Sequence, residues 1–284
     1  MIIVTGGTGH TGSRVVRALV DRGEQVRVLT RDPAKMHLSL RRRIEVFRGD
    51  LTNPAQAAEA FIGAHAVIAL THIRMAGAVI EACRRAGVMR VIFMSSTRRF
   101  TRFPEETARQ VIAGEEAVRS SGLDWTIIRP TMIYGSRHDN NLVHLQQALQ
   151  KWPVHPLPDG GRMKWQPVFT WDVVAALLAA LDRPVAVGRD YTIAGPEPIS
   201  YAEMVRTMTR LMKVRRLLVP IPLGLVRVAM SLMARVSKRP LLSSDQVDRL
   251  REDKVFDITD ARRDLGFDPI SFEEGIRMKV EGKV

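Results

Sequence analysis

The sequence predicts an α/β fold in which a doubly wound parallel sheet is followed by a smaller, mostly helical C-terminal lobe. Short β-rich apolar runs alternate with segments of helical periodicity over the first half of the chain. A glycine-rich turn separates the first strand from the first helix. After Gly135 the alternation weakens, and residues from Tyr201 onward are mostly helical in pattern. The predicted domains are therefore a sheet core at 1–135 and a substrate lobe at 136–284.

The first strand and helix set the pattern for the sheet core. Residues 1–5 are a short apolar run ended by glycines, as in a buried parallel strand. Valine and leucine recur at helical spacing over 11–22, and Gly23 ends that helix. By the same criteria, strands are predicted at 25–30, 44–47, 66–70, 88–94 and 125–128, and helices near 54–61, 74–86 and 105–121.

The lobe is less regular than the core. Three prolines and a glycine pair interrupt residues 153–161, which predicts an irregular crossing. Strands are predicted at 167–170 and 190–194, both returning to the core, with a helix at 172–182 between them.

Composition bounds the class of protein. The chain has 284 residues, of which 45% are hydrophobic and 26% charged, so a soluble core is expected. A single cysteine, Cys83, excludes a disulfide framework and a cysteine-based zinc site. The first residues lack the basic flank and long apolar run of a signal peptide, which favours a cytoplasmic location. The oligomeric state stays open.

The basic charge raises the question of an anionic partner. Lysine and arginine outnumber aspartate and glutamate by 43 to 30, a formal net charge of +13. These basic residues are spread along the chain, and aromatic residues, which stack on bases, make up only 6%. Nucleic-acid binding is therefore disfavoured, and a solvated basic surface is the better interpretation.

One apolar stretch, residues 217–236, bears on membranes. Prolines and arginines interrupt it, so it is not predicted to span a bilayer. On a helix that begins after Pro222, the residues Arg227, Ser231 and Arg235 form one narrow polar stripe. Such a helix is predicted to pack into the lobe. A peripheral contact with an anionic membrane, favoured by the positive charge, is the alternative.

The most informative stretch is the turn between the first strand and the first helix. Gly6, Gly9 and Gly12 have the spacing G-x-x-G-x-x-G. The first glycine permits a tight turn, the second lets the backbone approach a pyrophosphate, and the third lets the helix pack close to the strand. A turn without a ligand is the weaker alternative, because three glycines at this spacing sacrifice entropy that a simple turn need not lose. The predicted cofactor contacts here are Gly6, Thr8, Gly9, His10, Thr11 and Gly12.

The residues after the second and third strands bear on which dinucleotide is bound. An acidic residue after the second strand binds a ribose 2′-hydroxyl, and a basic one accommodates a 2′-phosphate. Arg31 takes this position and Arg14 is a further candidate, so NADP(H) is preferred. Asp32 follows and could turn inward instead, so NAD(H) stays open. Asp50 is a candidate acceptor for the adenine amino group, with Leu51 as an apolar wall. A turn or helix cap is the alternative role of Asp50.

Short motifs after most of the predicted strands complete the pattern. In chain order they are the glycine turn at 5–12, Gly49-Asp50-Leu51, Val91-Ile92-Phe93-Met94-Ser95-Ser96, Gly114-Glu115-Glu116, Thr126-Ile127-Ile128-Arg129-Pro130, Tyr134-Gly135, Pro167-Val168, Asp172-Val173 and Asp264-Leu265-Gly266-Phe267.

With these motifs the chain resembles the short-chain dehydrogenase/reductase superfamily over nearly its whole length. Within it, the chain is similar to the atypical and extended branches: NmrA-like proteins, sugar-nucleotide epimerases and dehydratases, and the NADPH-binding accessory subunit of respiratory complex I. The resemblance implies a Rossmann core that binds a nicotinamide dinucleotide.

The chain departs from this family at its proton relay. Catalytic members carry Tyr-x-x-x-Lys at the start of the helix that is predicted here from about 105, and those positions fall at Thr107 and Val111. Neither side chain can replace the pair. The chain's three tyrosines, Tyr134, Tyr191 and Tyr201, have no lysine four residues later.

The remaining candidate site residues follow from the resemblance and their place after strands. Ser96 matches the family's catalytic serine or threonine; its alternative roles are a hydrogen-bond donor to the nicotinamide and a strand terminator. His138 is the candidate replacement acid, and a solvated loop histidine is its alternative. Thr71, Ser95 and Pro130 are predicted to line the cofactor cleft. No histidine–carboxylate cluster has metal-ligand spacing, so no metal is predicted.

These observations rank three functions. The first is an NADP(H)-binding oxidoreductase that transfers hydride to a small-molecule substrate, a quinone-like or conjugated carbonyl acceptor, because such acceptors tolerate a missing tyrosine. The second is a non-catalytic NADPH-binding sensor or assembly subunit. The third is a sugar-nucleotide epimerase or dehydratase, whose chemistry relies on the absent tyrosine.

Overall fold

The structure is a computed structural model that describes residues 1–103, 105–136, 140–225 and 252–283. Its strands are β1 (Ile2–Thr5), β2 (Val26–Thr30), β3 (Glu45–Arg48), β4 (Ala66–Ala69), β5 (Arg90–Met94), β6 (Asp124–Pro130), β7 (Ile133–Tyr134), β8 (Val154–Pro158), β9 (Lys164–Trp165), β10 (Val168–Phe169), β11 (Arg189–Ile193), β12 (Ile199–Ser200) and β13 (Leu217–Ile221). Its helices are α1 (His10–Asp21), α2 (Leu38–Arg41), α3 (Pro54–Phe61), α4 (Ala76–Ala86), α5 (Glu106–Arg119), α6 (Asn140–Lys151), α7 (Thr170–Asp182), α8 (Tyr201–Leu211), α9 (Thr259–Leu265) and α10 (Phe272–Val280).

A seven-stranded parallel sheet forms the centre of the fold, in the order β11-β6-β5-β4-β1-β2-β3. The chain winds outward from β1 in both directions, so the strand order reverses between β1 and β4. Ligands of open α/β sheets bind outside the carboxyl ends of the strands at such a reversal. The predicted doubly wound α/β fold is confirmed.

Helices cover both faces of the sheet. On one face α1 packs against α7 over the buried side chains of Val15, Leu19 and Leu177. On the other, α3, α4 and α5 pack over Phe61, Val79 and others. The central strands are apolar on both sides because each face is covered in this way.

The lobe has a core of its own, built around Tyr134, Phe169 and Phe272 together with side chains of α6 and α8. Three small strand pairs frame it: β7 with β10, β8 with β13, and β9 with β12. The predicted strand near 190 does return to the sheet, as β11 beside β6. The predicted strand near 167 pairs with β7 instead. The boundary at 135/136 stays a prediction.

One difference from the sequence prediction lies in the apolar stretch that begins at residue 217. Its first five residues form β13, parallel to β8, although helix was expected from Tyr201 onward. Both strands contain prolines, which a two-stranded edge tolerates because one side of each strand needs no donor. The predicted stripe of Arg227, Ser231 and Arg235 lies outside the described residues. In the part of the chain that is described, no helix has both the length and the apolar character needed to cross a membrane.

Candidate functional site

The glycine turn lies at the strand-order reversal. Gly6 has a φ of 71°, and a Cβ there would lie 2.9 Å from the carbonyl carbon of Leu70. A Cβ on Gly12 would lie 2.1 Å from the carbonyl oxygen of Gly6, so only glycine lets α1 come this close to β1. Helix α1 begins after Gly9 without an acidic residue in its first turn. Its first-turn amides have no partner within the helix, and they offer an anion site at this end of the sheet.

A basic pocket lies beside the end of β2. It has a volume of about 560 Å³, and Arg31, Arg41 and Arg48 reach it from three different segments. Within the described residues, none of these three arginines pairs with a carboxylate. Asp32 is turned to its own backbone, since its Oδ1 accepts a hydrogen bond from the Ala34 amide at 3.1 Å. With Asp32 also in its lining, the pocket carries three guanidinium groups against one carboxylate, an excess of positive charge.

Asp50 forms a turn after β3. Its Oδ1 accepts from the Thr52 amide at 2.9 Å and from the Thr52 hydroxyl at 2.8 Å. These hydrogen bonds, followed by the charge of Arg31, hold the pKa of Asp50 below its usual value. Leu51 is buried in the core beside it. Asp50 thus has the turn role that the sequence analysis gave as its alternative. Its contact with the adenine amino group stays a prediction.

A buried ion-pair network lies beneath the ends of β5 and β6. Glu115 is fully buried, and Arg129 donates to it from Nε (2.8 Å) and Nη2 (2.7 Å). The Ser95 hydroxyl also donates to Glu115, at 2.6 Å. Asp190 pairs with Arg129 and with Arg119. The Ser95 side chain is therefore engaged in this network. A cofactor contact of Ser95, through its backbone, stays a prediction.

A cavity of about 1680 Å³ opens at the carboxyl ends of β5 and β6. At one end it is lined by His10 and Thr11, the first residues of α1, and by Ser96. At the other end the lining comes from the lobe and from the segments 97–102 and 252–257, with the apolar and aromatic side chains of Phe100, Met132, Tyr134, Leu142, Leu145, Trp165, Tyr201, Met204 and Phe256.

The segment 252–257 connects two walls of this cavity. The carboxylate of Glu252 accepts a hydrogen bond from the Thr101 hydroxyl at 3.0 Å. The ammonium group of Lys254 lies 4.0 Å from the ring centroid of Trp165, a close cation–π contact. The segment thus fixes the position of both walls against each other.

Comparison with known proteins decides the family. A sequence profile of NAD(P)H-binding proteins matches residues 6–154, just over half of the chain. The chain belongs to this NAD(P)H-binding family.

Individual relatives and structures agree with the family. "NAD(P)H azoreductase" of Xenophilus azovorans is 28% identical over 215 residues, 74% of this chain and 73% of that protein. "NADH-ubiquinone oxidoreductase 40 kDa subunit, mitochondrial" of Neurospora crassa is 26% identical over 286 residues, 94% of this chain and 75% of that protein. The structure of UDP-glucose 4-epimerase with UDP-glucose from Thermotoga maritima matches with a TM-score of 0.76, at 20% identity, over 99% of this chain and 97% of that one, which shows the fold.

The predicted place in the short-chain dehydrogenase/reductase superfamily, in its atypical NmrA-like branch, is thereby confirmed. The chain is an NAD(P)H-binding, oxidoreductase-like member of it. Preference for NADP(H) over NAD(H) stays a prediction.

Other predicted site residues lie at the strand ends. Ser96 accepts from the Arg98 amide at 3.2 Å and so caps a short 3-10 helix at the cavity edge. The carbonyl of Pro130 accepts from the Thr97 hydroxyl at 3.5 Å. The hydroxyl of Thr71 lies 3.4 Å from that of Thr5 and ties β4 to β1. His138 lies outside the described residues.

The two positions that the sequence prediction matches to the family's Tyr-x-x-x-Lys pair, Thr107 and Val111, lie on α5. Val111 is fully buried in the apolar cluster on this face of the sheet. Thr107 lies one turn earlier and is partly exposed. Gly114 packs so closely that a Cβ would lie 2.5 Å from the carbonyl oxygen of Ile73. At Val111, therefore, α5 contributes packing, and the match of this position to the family's lysine stays a prediction.

Several lining residues escaped the sequence reasoning. Arg41 belongs to the run Arg41-Arg42-Arg43, and Arg48 lies at the end of a predicted strand. No local pattern in the sequence indicates that these two residues line one pocket. Trp165, Tyr201 and Phe256 come from three separate segments of the lobe. No short sequence motif predicts such a wall, because its residues come together only when the lobe folds.

Proposed function

We propose that this protein is an NADP(H)-dependent reductase that transfers hydride to an apolar, conjugated acceptor such as a quinone. The carrying observation is the single cavity that reaches from the first residues of α1 to an apolar wall in the lobe. A dinucleotide on the glycine turn and a substrate in the lobe would share this cavity, as hydride transfer requires.

The chemistry of the wall supports an apolar acceptor. The lining includes the aromatic side chains of Phe100, Phe256 and Trp165, and Met132 and Met204 adapt to irregular shapes. Sites of this kind bury most of a ligand's surface and orient it with a few polar groups. The lining also carries charged side chains, among them Arg98, Arg102 and Glu252, so it is the aromatic and methionine part of the wall that favours a planar conjugated ring system.

The cofactor fits the residues present. Bound NADPH would supply the hydride. The amides at the start of α1 would hold its diphosphate, beside Gly9, which carries no side chain, while Gly12 lets α1 lie close to β1. Arg31, Arg41 and Arg48 would hold the 2′-phosphate, since guanidinium groups bind phosphate through paired hydrogen bonds. This pocket is the support for NADP(H) over NAD(H).

The relatives support the reaction class. The azo group named in the azoreductase relative is a conjugated N=N acceptor, and hydride addition to it needs no carbonyl oxygen. In acceptors of this type, the proton need not be added next to the atom that receives the hydride, as it must be in a plain ketone. They are therefore compatible with the absence of a tyrosine at position 107.

The test is NADPH oxidation at 340 nm against a matched panel. We expect turnover with 1,4-naphthoquinone and with an azo dye, and at least tenfold slower turnover with a saturated ketone such as cyclohexanone. Calorimetric titration with NADPH and NADH, run in parallel, should show tighter binding of NADPH. Tight NADPH binding without consumption of any acceptor would overturn the reductase proposal.

That contrary outcome favours the second candidate, a cofactor-binding sensor or assembly subunit. The burial of Val111 in an apolar cluster is the specific observation on its side, because that face of α5 is built for packing. The relative that is named as a subunit of NADH-ubiquinone oxidoreductase points the same way. A sugar-nucleotide reaction ranks third, and a rise in melting temperature with UDP-glucose would be its sign.

A further inference from the structure

The three tyrosine hydroxyls have very different surroundings. Tyr134 is fully buried, and its hydroxyl donates to the Ser271 carbonyl at 3.3 Å. Tyr191 donates to the Asp264 carboxylate at 3.1 Å, away from the cavity. Both of these phenols are engaged in structural hydrogen bonds. The third, Tyr201, lines the cavity, as Tyr134 does, and its hydroxyl pairs with a histidine side chain.

That partner is His155, whose Nε2 lies 2.9 Å from the Tyr201 hydroxyl oxygen. The two residues are 46 positions apart, on β8 and at the start of α8. The Tyr201 amide donates to the Met163 carbonyl at 3.0 Å, which anchors the residue next to the β9–β12 pair. Ser200 and Glu203 form a capping box that fixes the first turn of α8. The phenol is therefore held at the cavity wall by the fold itself.

We propose that Tyr201 donates the proton that completes reduction of the acceptor, and that His155 relays this proton from solvent. This inference rests on the proposed reductase function. It assigns to the lobe the proton donor that the family elsewhere carries on the helix corresponding to α5.

The step balances as follows. Bound NADPH would supply a hydride, which would form an O–H bond at the near carbonyl oxygen of the quinone as its C–H bond to the nicotinamide breaks. The ring electrons would shift, so the negative charge would collect on the opposite oxygen. The O–H bond of Tyr201 breaks and a new O–H bond forms on that oxygen. The phenolate regains a proton from Nε2 of His155 while Nδ1 takes one from water. The net reaction consumes NADPH and one proton, and it yields NADP⁺ and the hydroquinone.

The position of Tyr201 in the lobe, away from the nicotinamide, accounts for the proposed preference for conjugated acceptors. A saturated ketone develops its negative charge on the oxygen next to the carbon that receives hydride, so it needs a donor beside the nicotinamide. A quinone carries the charge across its ring to the opposite oxygen. A donor in the lobe can serve that second oxygen while the ring lies against the apolar wall.

The electrostatic state of the pair suits this role. Burial raises the pKa of Tyr201 to about 12, so the phenol is protonated at neutral pH. Burial lowers the pKa of His155, so its imidazole is neutral and one ring nitrogen faces the hydroxyl. A neutral imidazole can pass a proton by accepting at one nitrogen and donating at the other.

The experiment compares three variants of the full-length protein with NADPH and 1,4-naphthoquinone. Tyr201→Phe should lower kcat roughly 100-fold, the lower end of what a general acid contributes. His155→Gln keeps a hydrogen-bonding group but no relay, and it should lower kcat about tenfold and alter the solvent isotope effect on kcat. Tyr191→Phe removes a phenol that does not face the cavity and should leave kcat unchanged.

A binding measurement without cofactor provides a second readout. The dissociation constant of 1,4-dihydroxynaphthalene, followed by tryptophan fluorescence, should rise about fivefold in Tyr201→Phe through loss of one hydrogen bond. Melting temperature and NADPH affinity should match the wild type.

The outcomes separate the two proposals. A wild-type protein that reduces no acceptor overturns the reductase function and this inference together. An active wild type whose Tyr201→Phe and His155→Gln variants keep full kcat and the same isotope effect overturns this inference alone. If Tyr201→Phe does not fold, His155→Gln decides, because an unchanged isotope effect there rejects the relay.

Discussion

The sheet core and the lobe build their parts of the site in opposite ways. In the core, the predicted cofactor residues lie at or within a few residues of the end of a sheet strand, as Gly6 follows β1 and Arg31 follows β2. In the lobe, the cavity wall joins Trp165, Tyr201 and Phe256, which lie on segments far apart in the chain. The core's chemistry is therefore local in sequence, whereas the lobe's chemistry exists only through tertiary contacts.

The two regions also differ in how much a substitution should cost in stability and binding. In the turn after β1, Gly6 and Gly12 fit contacts too close for any other residue, so their environment tolerates no added side chain. The lobe's wall is made of adaptable apolar side chains around a large space, where single substitutions have room to relax. We therefore expect substitutions in the core turn to have larger effects than those in the wall.

The largest effect should come from Gly12→Ala. The new Cβ would lie 2.1 Å from the Gly6 carbonyl oxygen, so α1 must move away from β1. We expect a loss of about 3 kcal/mol in the free energy of unfolding and at least roughly 100-fold weaker NADPH binding, equivalent to the displacement of several amide contacts. Chemical denaturation and calorimetry measure both.

Gly77→Ala is the matched control for that change. Gly77 is the second residue of α4, and a Cβ there meets no atom within 4 Å. Its stability should stay the same or rise by about 0.5 kcal/mol, since alanine favours a helix. Equal losses in both variants would show that the close approach at Gly12 is not what the turn depends on.

A second change tests whether the two regions are independent. Glu115→Gln removes the buried charge that pairs with Arg129, whose other partner Asp190 lies on β11, from the second half of the chain. Removing one member of a buried ion pair leaves the others uncompensated, so we expect a loss of about 3 kcal/mol.

The exposed neighbour supplies the control for this network. Glu116→Gln should cost less than about 0.5 kcal/mol, because that side chain points to solvent. A single unfolding transition that shifts as a whole would show that the network joins both regions. Separate transitions would show instead that the core and the lobe unfold independently.

The sequence predicted the core in detail because its signals are local. The six core strands β1 to β6 were each predicted from a short run in the sequence, and their observed bounds differ from the predicted ones by a few residues, as for β5 at Arg90–Met94 against 88–94; the short β7 was not predicted. The turn roles of Gly6 and Gly12 also follow from spacing alone. Pairing between distant segments leaves no such mark, so β13 beside β8 and the Tyr201–His155 contact could not be predicted.

A smaller effect should distinguish the two dinucleotides at the basic pocket. Arg31→Glu places a negative charge where the 2′-phosphate is proposed to bind, so NADPH should bind at least about tenfold more weakly, from the loss of a charge-assisted hydrogen bond. NADH affinity should change little, because NADH has no phosphate at that position. Calorimetric titration of both dinucleotides gives the comparison.

Arg17→Glu changes the net charge by the same amount and serves as the control. Arg17 is exposed on α1 and does not line the pocket. Its NADPH affinity should fall less than about twofold at 0.15 M salt, where exposed charges beyond about 8 Å are screened. Equal weakening of NADPH and NADH by Arg31→Glu would place the 2′-phosphate contact elsewhere.

The smallest effect should appear in the lobe's own stability, at Asp172 in the first turn of α7. Its Oδ2 accepts from the Ile270 amide at 3.0 Å, but burial raises its pKa to about 6, and nearby Glu274 and Asp268 add to this. An unfolded aspartate titrates near 3.8. Between these values the folded state binds more protons than the unfolded state, so stability falls as pH rises through this window.

Asp172→Asn removes this titration and keeps an oxygen that can accept from the Ile270 amide. At pH 7 the variant should be more stable than the wild type by about 1 kcal/mol, a figure reduced for the partial exposure of the carboxylate. The gap should close below pH 4, where the wild-type carboxyl is protonated in both states. Glu59→Gln, an exposed carboxylate on α3, should show no such trend. Urea unfolding at pH 4, 5, 6 and 7 measures the gap, and a constant difference across that range would mean that Asp172 titrates normally in the folded lobe.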